Sequence, residues 1–161
     1  PAFKNALVQS IAGGNTMVFN HALRSIAASA PDCEIISHDW WFYILVTACG
    51  GQVFYDAKSY VSYRQHSDNV IGANSSIFSS LPRFKKMLEG RLVEWNRCNL
   101  KGIGLLKKYI PPANLETLNY FDRARHSSLF ERYLFFKRSG VYRQTLRGNV
   151  ALLIAVLIKK I

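Results

Sequence analysis

The stretch IISHDWWFYILVTACGG (residues 35–51) decides how this chain is read. One carboxylate, Asp39, stands at its start, and an uncharged run follows as far as Gly51. Ser37 is a natural helix N-cap, since its hydroxyl can accept from a free backbone N–H. Residues 38 to 49 then read as a helix, and Gly50-Gly51 as its stop. Apolar residues lie all round this helix, so it should be largely buried. A carboxylate in the first turn sits at the positive end of the helix dipole, which favours its ionised form. Adjacent indoles exclude water and act the other way. A general base working near neutral pH needs that kind of opposition. Trp40 and Trp41 are neighbours, so they leave the helix about 100° apart. At least one should enter the core, and either could offer a flat face to a sugar ring.

Working outward, the chain has 161 residues, 49% of them hydrophobic, which suffices for a core of its own. It begins with Pro1 and shows no targeting segment, giving the expectation of a piece of a longer protein. Cys33, Cys49 and Cys98 form no CxxC pair and read as reduced, mostly buried thiols. The net charge of +11 is uneven. Residues 1–75 hold four basic against five acidic side chains, while residues 76–161 hold 17 against five. That asymmetry points to a negatively charged partner for the second half.

The first half carries mixed signals. GGNTMVFN (13–20) reads as a glycine turn followed by a strand, from the alternation around Met17 and Phe19. HALRSIAASA (21–30) reads as a short helix ended by Pro31. Gln52–Tyr55 and Ser59–Arg64 read as two further strands, with a polar loop after them. From Ile77 onward the spacing turns helical, with breaks at Pro111-Pro112 and within residues 113–140. A soft boundary at about residue 76 follows from the change of charge and period.

Three features now stand in order: the turn GGN before a short apolar segment, HDWW at a helix start, and YRQHSDNVIG further on. In that order they resemble the C-terminal half of an inverting family 2 glycosyltransferase, most nearly the bacterial rhamnosyltransferase-like members. The resemblance implies an α/β chain. Residues 1–76 would be the acceptor-side half of a GT-A fold with short mixed strands, and 77–161 a mainly helical basic extension. It implies Asp39 as catalytic base, with His38 where many relatives carry Glu. It also implies Gly13, Gly14, Asn15, His38, Trp40 and Trp41 as substrate-binding residues. Arg64 and His66 would touch the diphosphate of the nucleotide-sugar donor, and His66 would also touch a divalent metal, Mg2+ or Mn2+. The family's Asp-x-Asp motif, which holds that metal, is absent from these residues. The resemblance therefore implies that the metal is held mainly by a nucleotide-binding half outside this sequence, without which the chain should be inactive.

The last segment suggests a location. VALLIAVLI (150–158) is too short to span a bilayer, and basic residues flank it. Residues 141–161 have the composition of a segment lying on an anionic membrane surface, or of a buried helix. A peripheral position at the inner face of the cell membrane would suit a lipid-linked saccharide acceptor. Two other classes stay open: a non-catalytic membrane-peripheral domain, and a basic nucleic-acid module. No nucleic-acid motif is present, so nucleic acid is not the expected partner.

Overall fold

The computed structural model describes residues 1–30, 33–58, 60 and 90–161. Seven α-helices form among these: α1 (Phe3–Ala6), α2 (His21–Ala28), α3 (His38–Ala48), α4 (Arg91–Gly104), α5 (Pro112–His126), α6 (Leu129–Ser139) and α7 (Leu146–Leu157). Single 3-10 turns occur at Gly14–Thr16 and Lys107–Tyr109. Local chemistry sets the boundaries. The Asn20 side chain accepts from the Leu23 N–H at 3.0 Å and starts α2. Pro112 occupies the first turn of α5, where a missing N–H costs nothing. Gly140 adopts φ +64° and ends α6. Thr145 caps α7 by accepting from the Gly148 N–H at 3.0 Å.

The helical content corrects the expected α/β class: among the described residues there is no strand. Where a strand was expected over 16–20, the backbone makes a 3-10 turn and then runs extended without a ladder partner, ending in the Asn20 cap. Residues 52–55 also pair with none of the described residues, and Phe54 stands 91% exposed. Alternation over a few residues marks extended backbone, but a strand also needs a neighbour to bond. Most of the third expected strand, Ser59–Arg64, lies outside the described residues.

Helix α3 is the centre of the packing, and Trp40, Trp41, Tyr43, Ile44, Leu45 and Ala48 are all buried. Beneath it lies α1. The Trp40 Nε1–H donates to the Ala6 carbonyl at 2.7 Å, and the Tyr43 hydroxyl donates to Asn5 Oδ1 at 3.0 Å. Unpaired, such buried polar groups would cost about 1–3 kcal/mol each. On another side α4 meets α3, with Trp40 and Trp95 edge to face at 5.6 Å. Trp41 lies over Gly102, where an added Cβ would come within 3.0 Å of its ring. From α5, Asn114 donates to the Thr47 and Ala48 carbonyls at 3.0 and 2.9 Å, closing the C-terminal end of α3. The hydrophobic core therefore draws on residues from both sides of position 76.

Helices α5, α6 and α7 complete the molecule. Phe135 stacks on Tyr120 and lies under Arg123, joining α6 to α5. Arg132, almost fully buried, donates to the Ser127 carbonyl at 2.8 Å and the Leu157 carbonyl at 3.1 Å. One guanidinium thus serves the C-terminal ends of both α5 and α7. The connection between α6 and α7 is bound to the chain start: Asn5 donates to the Tyr142 carbonyl at 3.1 Å and Gln9 to Gln144 at 2.9 Å. No described helix is long and apolar enough to cross a membrane.

Candidate functional site

Ser37 occupies the N-cap position of α3 in extended conformation, although its hydroxyl makes no capping bond. Asp39 follows in the first turn, half-buried, with no hydrogen-bond or ion-pair partner among the described residues. Helical spacing puts Trp40, Ile44, Thr47 and Ala48 on the inward side, and His38, Asp39, Phe42 and Val46 on the outward side. The segment carrying the glycine turn crosses that outward side. His38 rests directly on Gly14, where a Cβ would fall 1.9 Å from the imidazole Nε2, so a larger residue there would push the exposed His38 ring aside. One turn further along, Phe19 stacks on Phe42 with centroids 4.7 Å apart and planes 23° apart.

Two of the expected features therefore meet: the turn Gly13-Gly14-Asn15 and the first turn of α3 with His38 and Asp39. Trp40 and Trp41 do not join them. Each is 5% exposed and packs inward, so neither presents an indole face to solvent beside Asp39. The aromatic surface on Asp39's side of the helix is Phe42 with Phe19, which sequence reading missed. Phe42 lies three residues after Asp39, and helical spacing alone would have placed it there. Arg64 and His66 lie outside the described residues.

The described residues do not fit the implied Mg2+ or Mn2+. Glu34, Glu94 and Cys98 bring one donor atom each within 4.8 Å of one another. Those ions prefer oxygen donors, and burial pushes the Cys98 thiol up, with Glu34 adding to it, so that it stays protonated. Glu94 is already engaged, accepting from Arg97 Nε at 2.9 Å. That bond holds its carboxyl below the usual range. A separate cavity of about 250 Å³ lies between α4 and α5. Its wall carries Arg97, Lys101, Lys107 and Arg125 against one carboxylate, Asp122, so its field favours an anion.

Comparison with protein-family models, curated proteins and solved structures finds no match for this chain.

Proposed function

We propose that this chain supplies the base-bearing, acceptor-side part of an inverting glycosyltransferase acting in bacterial surface-polysaccharide synthesis. The observation that carries the proposal is the seating of His38 on Gly14, which joins the glycine turn to the helix start bearing Asp39. A carboxylate at a helix N-terminus, without a partner among the described residues and half-open to solvent, is available to take a proton. In the proposed reaction Asp39 removes the proton of an acceptor hydroxyl as its oxygen attacks the anomeric carbon of the donor sugar. The bond to the nucleoside diphosphate breaks on the opposite face, and the configuration inverts. His38 orients the acceptor, and the Phe19–Phe42 pair offers an apolar face for a sugar ring. A nucleotide-binding part outside these residues would hold the donor and the divalent metal. Rhamnose is the sugar suggested by the sequence resemblance. The acceptor would be a growing, lipid-linked saccharide, with the protein at the cytoplasmic face of the cell membrane.

The test is Asp39→Asn, assayed on the chain joined to any nucleotide-binding segment encoded with it. Turnover should fall by far more than tenfold while donor binding is kept. Retention of more than about a tenth of wild-type turnover overturns the base assignment. In the chain alone, titration with saccharide acceptors should move the amide resonances of Gly13, Gly14 and His38. Unmoved resonances at saturating saccharide would remove the acceptor site from this face.

A further inference from the structure

We propose that the outward faces of α6 and α7 form one docking surface for an anionic lipid bilayer. This deepens the membrane-peripheral part of the proposed function and rests on that location, not on sugar transfer.

The starting point is an inverted expectation for α7. Its inner side, Leu152, Ala155 and Val156, is buried as in any packed helix. Its outer side should then be polar. Instead it presents Leu146, Val150, Ile154 and Leu157, spaced four, four and three, and Leu146 is 80% exposed. Helix α6 repeats the pattern. Leu129, Phe130 and Tyr133 are exposed near its start, Phe130 to 72%, while Arg132 and Phe136 are buried. Arg132 ties the last turn of α7 to the first turns of α6, so Leu157 and the Leu129–Tyr133 group share one end of the molecule. Exposed apolar surface of this extent marks an interaction site.

Charge chooses the occupant. Residues 129–161 carry seven Lys or Arg and a single acid, Glu131. Lys137, Arg147 and Lys159 are exposed on or directly after these helices, and Arg138 is exposed over the Tyr120 ring. Two copies packed face to face would bring these cations together, whereas anionic headgroups neutralise them, at about 1 kcal/mol per residue near the surface. Length sets the orientation. Helix α7 has 12 residues, against about 20 needed to cross the hydrocarbon, so it lies in the plane of the interface.

The experiment is co-sedimentation of the chain with vesicles of phosphatidylcholine alone and of phosphatidylcholine with about one-third phosphatidylglycerol. Binding should be at least tenfold tighter to the anionic vesicles and should weaken as salt rises. Ile154→Asp should reduce anionic-vesicle binding at least tenfold with the helical circular dichroism unchanged. Arg147→Glu, which leaves the apolar face intact, should weaken it roughly tenfold. Equal binding to both vesicle types, or none to either, overturns the proposal. So does a dimer in sedimentation analysis that Ile154→Asp dissociates in the absence of vesicle binding, which would assign the face to a second copy. Asp39→Asn should leave vesicle binding untouched, so this proposal and the sugar-transfer reading can fail separately.

Discussion

Helices α3 and α7 are nearly matched in apolar composition, yet they occupy opposite situations. Helix α3 is enclosed, by α1 beneath, α4 at its side, Asn114 at its end and the Gly14–Phe19 segment over its first turns. Helix α7 is covered on one side only, and its second apolar side faces outward. Apolarity thus reports what a segment can bury and leaves open what it is buried against. The single acid near the start of α3 stands where the enclosure is incomplete. The charges around α7 are all basic and stand at the rim of an uncovered surface.

Substitutions can break that contrast. The largest effect should come from Trp40→Ala, which opens a cavity in the enclosed helix and strands the Ala6 carbonyl. Chemical denaturation should show a loss of about 3–5 kcal/mol. Arg132→Ala comes next. It removes the donor shared by the ends of α5 and α7, and should cost about 2–3 kcal/mol with the helices retained. Thr145→Ala removes the α7 cap and should cost about 1 kcal/mol. By contrast Leu146→Asp, at the 80% exposed start of the uncovered face, should change stability by less than about 0.5 kcal/mol, although it is an apolar-to-charged change in an apolar helix. A loss there as large as that of Trp40→Ala would mean that the two helices are equally enclosed.

The smallest effect expected is on pH dependence. Arg97 holds the Glu94 carboxyl below its ordinary range in the folded chain. The bond therefore stabilises the fold at pH above the ordinary glutamate value, about 4.3, and the gain is lost as pH falls through the lower folded value. Because the pair is solvent-exposed, the effect is slight. Glu94→Gln should move the acid-unfolding midpoint only marginally upward, and a large move would reveal a coupling beyond this pair.

Helix α3 was legible in sequence because its signals are local: Ser37 before it, Gly50-Gly51 after it and an unbroken apolar run between. The same holds for α2, for the start of α5 at Pro112 and for the separation of α5 from α6. The segments 16–20 and 52–55 were misread as strands because pairing is a tertiary fact, and nothing in Met17 or Phe54 says whether a neighbour exists. The candidate site was half legible. Asp39, His38 and Gly14 carry motifs, but the seating of one ring on one glycine depends on how residues 13–19 cross α3. The inward turn of both tryptophans depended on which side of α3 met α1 and α4. The outward apolar side of α7 could not be told from a buried one by composition.

The bonds from Asn5 to Tyr142 and from Gln9 to Gln144 have a consequence in time. They join positions separated by 137 and 135 residues. A ribosome adds about 5–20 residues each second, so Asn5 waits several seconds for its carbonyl partner to be made. Until then a side chain destined to be 1% exposed has no Tyr142 to bond, and α1 cannot complete its native surroundings. Helix α1 is thus made long before it can be finished, and its closure reports that residues 142–144 have arrived.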